Sequence, residues 1–181
     1  MTEPRQKRRE RPQVAVLLGS DSDLPVMAEC VRVLRDYAVP CEVRVLSAHR
    51  TPDSAARFAR GAEARGIRVL IAGAGGAAHL AGALAAHSTL PVIGVPLAGS
   101  PLAGFDALLS TVQMPPGIPV ATVGVGGMGA KNAGHLAAAI LALHDERLRR
   151  SLKQRRAEMA RDVLQKAEDL PQRLEQALRA R

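Results

Sequence analysis

The sequence predicts an α/β fold with a single parallel sheet covered by helices on both faces. Short runs rich in Val, Leu and Ile recur along the chain, and amphipathic segments of helical period separate them. Polar or Gly-rich loops join each of the first three runs to the segment that follows. At 181 residues there is enough chain for one domain with a real core.

VAVLL (14–18) reads as a buried strand, followed by GSDSD and a helix over roughly Leu24 to Tyr37. CEVRVL (41–46) is the second strand, followed by SAHRTP and a helix from about Asp53 to Arg65. RVLIAG (68–73) is the third, and AGGAAHL leads from it into a short helix ending near His87. PVIGVP (91–96) is the fourth strand, with Ala103 to Val112 helical after it. PVATVGV (119–125) is the fifth, and GGMGAKNAG opens a long helix through LAAAILALHDERL. Pro171 interrupts the last amphipathic stretch, so Asp162 to Arg181 is expected to kink or fray there.

Composition excludes several classes. Aromatic residues make up 2% of the chain, so the core must be built from Ala, Val, Leu and Ile. No apolar run reaches the ~20 residues that span a bilayer, and MTEPRQKRRERPQ lacks the apolar segment of a signal peptide. Cys30 and Cys41 show no metal spacing and are expected to be buried, reduced thiols. A soluble cytoplasmic protein without a membrane partner is expected. The net charge of +8 is terminal: residues 1–12 contribute +3, residues 145–181 +4, and residues 13–144 only +1. A nucleic-acid binder concentrates charge on its folded recognition face, often beside stacking aromatics, so no nucleic-acid partner is expected.

Function is sought at the loops after the first three strands, because ligands of open parallel sheets bind at the strands' carboxyl ends. In Gly19-Ser20-Asp21-Ser22-Asp23, glycine permits close approach, and the hydroxyls of Ser20 and Ser22 with free helix N–H groups suit an anion. Asp23 would repel phosphate and suits a pair of sugar hydroxyls; the alternative is that Ser22 or Asp23 simply caps the helix. In Ser47-Ala48-His49-Arg50-Thr51-Pro52, a proton-transfer imidazole stands beside a permanently charged anion clamp, with a surface pair at a helix start as the alternative. The run from Ala72 to His79 exposes backbone N–H groups and leaves room for a flat ligand; His79 can face the site or serve the fold.

Other chemistries fit poorly. No G-x-S-x-G elbow accompanies Ser47 and His49, which argues against a nucleophilic hydrolase. Gly73 to Ala78 and Gly124 to Gly129 match dinucleotide patterns only loosely: no acidic residue follows the first, and no strand follows the second. His87 and His144 lie late in predicted helices and His135 within one, where structural roles suffice. No histidine, cysteine or carboxylate spacing supports a metal.

GSDSD, SAHRTP and AGAGGAAHL, with VQMPPGIPVATV (112–123) and KNAGHLAAAILALHD (131–145), resemble the N5-carboxyaminoimidazole ribonucleotide mutase family over roughly Val14 to Leu164. The resemblance implies a three-layer α/β/α sandwich with a parallel flavodoxin-like sheet and a long C-terminal helix. It implies interconversion of N5-carboxyaminoimidazole ribonucleotide and 4-carboxyaminoimidazole ribonucleotide in purine biosynthesis, without ATP, biotin, metal or other cofactor, in a homo-octamer with sites near subunit contacts. His49 matches the catalytic histidine. Ser20, Asp23 and Arg50 match nucleotide-binding positions, with Ser22 and Ser47 close by, and the loop from Ala74 through Gly75 to His79 lines the imidazole and carboxyl pocket. A related branch carboxylates aminoimidazole ribonucleotide directly with CO2 and carries a polar Gly-Arg-Ser-Asn-type segment; Gly73-Ala74-Gly75-Gly76 follows the mutase pattern instead. The corresponding organisation is a basic arm over 1–12, a catalytic domain over 13–165 and a charged tail over 166–181.

Overall fold

The computed structural model describes residues 11–179. The expected basic arm over residues 1–12 lies outside the described residues, apart from Arg11 and Pro12. Two compact units divide the chain, residues 1–141 and residues 142–181.

The first unit holds a parallel five-stranded sheet: β1 (Val14–Leu18), β2 (Cys41–Val45), β3 (Val69–Gly75), β4 (Val92–Leu97) and β5 (Ala121–Thr122). Its order is β2-β1-β3-β4-β5, with Val16 level with Val43 and Ile71, and Ile71 level with Ile93. β1 and β4 are buried along their whole length, which is why they read as unbroken apolar runs. Strand order reverses between β1 and β3. The connections from these two strands therefore leave in opposite directions and open a crevice at their carboxyl ends.

Helices α1 (Leu24–Asp36), α2 (Pro52–Arg60), α3 (Leu80–Ala85), α4 (Phe105–Val112) and α5 (Gly126–Leu141) surround the sheet. One core layer packs Ala55, Phe58 and Ala59 of α2 and Leu80, Ala81 and Leu84 of α3 with Ala15, Leu17, Leu70 and Ala72 of the sheet. α5 lies closely on α1, and its buried side comprises Ala130, Ala133, Gly134, Ala137 and Ala138. Tyr37 Oη and His135 Nδ1 lie 3.0 Å apart, so His135 has the structural role expected of it. Small residues allow even closer contact at Gly129, where an ideal Cβ would sit 1.6 Å from the Gly124 carbonyl oxygen.

Several boundaries depart from the sequence reading. The second helix stops at Arg60, and a separate 3-10 turn spans Glu63–Arg65 before Gly66, whose φ is +96°. β3 continues past Gly73, because Ala74 and Gly75 still pair with Pro96 and Leu97. β5 is far shorter than 119–125: Pro119 has no N–H to donate, and after Thr122 only Val123 N–H reaches back, to Gly94 O at 3.0 Å. Cys30 is buried and its thiol is pushed up to about 12, by burial first and by Cys41 second. Cys41 is only partly buried, since it belongs to an edge strand.

The expected long C-terminal helix is three helices. α5 ends at Leu141, and Asp145 caps a new helix, α6 (Glu146–Glu168), by accepting from Leu148 N–H at 2.9 Å. α7 (Leu170–Arg179) follows Asp169 with Pro171 in its first turn, at the expected interruption. Met159, Val163 and Leu164 of α6 and Leu170, Leu174 and Leu178 of α7 are each more than half exposed. Among the described residues no helix is long and apolar enough to cross a membrane.

Candidate active site

The three polar loops meet at the carboxyl end of the sheet. All nine residues singled out from the sequence line one cavity of about 460 Å³. Ser20, Ser22 and Asp23 come from the end of β1, Ser47, His49 and Arg50 from the end of β2, and Ala74, Gly75 and His79 from the end of β3.

The first loop is fixed by its own hydrogen bonds. Ser20 N–H donates to Asp23 Oδ2 at 2.9 Å, and Ser22 N–H donates to Ser20 Oγ at 3.4 Å, a capping box on a 3-10 turn over Asp21–Asp23. The cap is thus Ser20 with Asp23 reciprocating, rather than Ser22 or Asp23 alone. Capping does not remove these side chains from the cavity. Ser22 Oγ lies 2.9 Å from Ser20 Oγ, which leaves a pair of adjacent hydroxyls at its rim.

Burial raises the Asp23 carboxyl above its ordinary value, joined by the nearby Asp21 charge, while the Ser20 N–H and Arg50 pull the other way. A carboxylate raised in the folded state favours the fold below its unfolded value of 3.8 and loses that contribution as pH rises through the folded value. Asp23→Asn, which keeps an acceptor for the Ser20 N–H, is therefore expected to melt at higher temperature than the parent at neutral pH. Thermal scans against pH should show this advantage disappearing below about pH 3.8; an advantage independent of pH would overturn the assignment.

The second loop is braced by Thr51, whose Oγ1 accepts from Ser47 N–H and donates to Ser47 O, each at 3.0 Å. Ser47 Oγ in turn accepts from Arg50 N–H at 3.1 Å. The two functional side chains of this loop then reach opposite neighbours. Arg50 Nη2 donates to Gly19 O in the first loop at 3.0 Å. His49 Nε2 lies 2.8 Å from His79 Nδ1 in the third, the rings edge to face with centroids 4.9 Å apart. One ring nitrogen of this contact carries the shared proton, so the two imidazoles form a chain along which a proton can move.

The third loop begins two residues later than expected, at Gly76, whose φ of +59° turns the chain where a residue with Cβ would be strained. Ser110 of α4 holds this loop, accepting from Ala78 N–H at 3.0 Å and lying 3.4 Å from Gly76 O. His79 sits at the start of α3 without capping it, which leaves its ring available to His49.

Besides Ser110, three contributors escaped the sequence reading. Gly99, after β4, lines the cavity from a fourth loop, and the sequence signal was a Gly-Ser-Pro turn at a strand end. Thr51 had a legible signal too, since a Ser and a Thr four residues apart ahead of a helix-starting proline can brace a loop. The Gly19 carbonyl had no signal. A larger cavity, about 890 Å³, opens near Arg60, His87 and Ile118, at the opposite ends of the strands; none of the nine residues reaches it. Among the described residues no group of three or more His, Cys, Asp or Glu side chains could hold a metal ion.

Known proteins place the same stretch of chain in one group. A family model described as AIR carboxylase matches residues 13–162. The N5-carboxyaminoimidazole ribonucleotide mutase of Pyrococcus abyssi is 57% identical over 150 residues, which cover 83% of this chain and 85% of that protein. The mutase of Bacillus subtilis is 51% identical over 160 residues, 88% of this chain and 99% of that one. A crystal structure of Treponema denticola PurE superposes with a TM-score of 0.80 at 28% identity, covering 88% of this chain and 99% of that chain.

Proposed function

The chain belongs to the AIR carboxylase family, and on that footing we infer that it interconverts N5-carboxyaminoimidazole ribonucleotide and 4-carboxyaminoimidazole ribonucleotide in purine biosynthesis. The observation that carries the inference to particular residues is the reach of the second loop, with His49 touching the third loop and Arg50 the first.

We propose that His49 moves the protons. Protonation at the carbamate nitrogen breaks its bond to the carboxyl carbon and releases CO2 into the cavity. The ring, electron-rich through its amino group, attacks CO2 from C4, and the proton on C4 leaves to restore aromaticity. An imidazole exchanges protons near neutrality, so one residue can give the first proton and take the second. The His79 ring at 2.8 Å supports the role by fixing how His49 is turned. Holding ring and CO2 together can remove up to roughly 7–11 kcal/mol of barrier in favourable systems. Ala74, Gly75 and Gly76 lack the bulk that would keep a flat ring from the backbone. Ser20, Ser22, Ser47 and Arg50 bind the phosphate and Asp23 the ribose hydroxyls, remote contacts that fix the ring over His49.

Incubation with 4-carboxyaminoimidazole ribonucleotide, with and without bicarbonate, tests the reading. Reversible formation of the carbamate isomer supports it. Net release of aminoimidazole ribonucleotide and CO2 indicates the direct carboxylase instead.

Arg50→Ala is expected to weaken nucleotide binding by roughly tenfold to a hundredfold, since a hydrogen bond to a charged group contributes about 1.5–3 kcal/mol. Calorimetry with the nucleotide and the dephosphorylated nucleoside checks it; equal losses for both would sink the phosphate contact. A cytoplasmic homo-octamer completes the proposal, and light scattering measures its mass.

A further inference from the structure

α4 carries two hydroxyls in succession, Ser110 and Thr111, between Leu109 and Val112. Serine is a poor choice for a helix interior, because its hydroxyl competes for backbone groups. Both side chains bond back to their own helix: Ser110 Oγ donates to Asp106 O at 2.9 Å, and Thr111 Oγ1 to Ala107 O at 2.7 Å. Only Ser110 also reaches the loop after β3. With its proton directed at Asp106 O, its lone pairs are left to accept from Ala78 N–H at 3.0 Å.

Residues 76–79 are held loosely by their own backbone. Ala78 N–H donates to Gly76 O at 2.9 Å, and His79 N–H to Ala77 O at 2.7 Å. Each bond closes a three-residue turn, a ring too small to keep the N–H pointed straight at its acceptor. Ala78 is buried whereas Ala77 and His79 are exposed, so the segment is anchored at Ala78, where Ser110 binds. Among the described residues, Ser110 and His49 are the only side chains outside the segment that hydrogen-bond to it. The segment is clamped between them, by Ser110 at the backbone of Ala78 and by His49 at the ring of His79.

We propose that Ser110 is a positioning residue for the interconversion, setting where His79 stands and through it how the His49 ring is turned. The inference rests on the reaction assigned above. Ser110 does not line the cavity, so its effect is transmitted through the loop. Ala78 and His79 are neighbours in the chain, and a shift of the anchor carries the His79 ring with it. The 2.8 Å contact with His49 tolerates little such movement. A displacement of about 1 Å can cost roughly a hundredfold in rate.

Ser110→Ala removes the anchor without weakening α4, since alanine is the stronger helix former. It is expected to lower kcat by about tenfold to a hundredfold, with product affinity within about threefold of the parent. Thr111→Val removes the neighbouring hydroxyl, which bonds only to its own helix, and should leave kcat within about twofold. In a His79→Ala chain, which lacks the ring that Ser110 positions, Ser110→Ala should cost less than about a further twofold. The imidazole signals of His49 and His79 in NMR spectra give a reading independent of turnover: Ser110→Ala should move both, and Thr111→Val neither. Unmoved ring signals in Ser110→Ala would overturn the proposal. So would an undiminished kcat, an equal loss in Thr111→Val, or a full further loss in the His79→Ala chain. A parent chain without interconversion would remove the assigned reaction only, since the ring signals still decide whether Ser110 sets the two histidines.

Discussion

His49→Asn is expected to reduce turnover by on the order of 10³–10⁴, because one side chain is assigned both proton transfers and general acid–base catalysis contributes up to about that much. Ribonucleotide affinity should change little, since the phosphate and ribose contacts come from other side chains. The carboxamide has the wrong chemistry for either step, having no proton to exchange near neutrality. It also cannot reproduce the 2.8 Å contact with His79, so any residual activity would come from orientation alone. Steady-state rates in both directions, with calorimetric binding of the product, separate the two effects. Near-normal turnover would remove His49 from the chemistry, and parallel loss of binding would make it a positioning group instead.

The largest effect on stability is expected at Gly129→Ala. A Cβ there would fall 1.6 Å from the backbone oxygen of Gly124, a group that cannot swing aside as a side chain could. The start of α5 would have to move away from the end of β5. Overpacking costs typically reach about 3 kcal/mol, and a backbone clash belongs at or above that value. For a chain of this size the melting temperature should then fall by roughly 6–12 °C. Gly127→Ala in the same turn supplies the contrast: nothing lies within 4 Å of its Cβ, and alanine favours a helix by up to about 1 kcal/mol. Equal melting temperatures for the two variants would contradict the close approach.

Much of the architecture was legible because it is written in local pattern. β1, β3 and β4 are buried on both faces and therefore appear as unbroken apolar runs, and the three loops stand out as polar or Gly-rich segments between such runs and helices. The family resemblance then tied His49, Arg50, Ser20 and Asp23 to one site, and the structure brings these side chains to one cavity. What stayed hidden depends on distance in space. The His49–His79 contact joins residues 30 apart through a particular orientation of two rings, and Arg50 finds a backbone oxygen that has no residue type to betray it. The break after Leu141 was concealed for a different reason. Ala and Leu continue the helical period through it, and only the capping of Leu148 N–H by Asp145 marks the new start. β3 outran its expected end because glycine carries no strand preference of its own, while the ladder to β4 continued through Gly75.

The two links between loops also bear on the thermodynamics of recognition. Arg50 ties the first loop to the second and His49 ties the second to the third before any nucleotide arrives. Little chain freedom is left to lose when the cleft fills, so association should resemble a key meeting a finished lock. The heat-capacity change on titration should then match the apolar surface the nucleotide covers, without the larger negative value that folding of a loose segment would add.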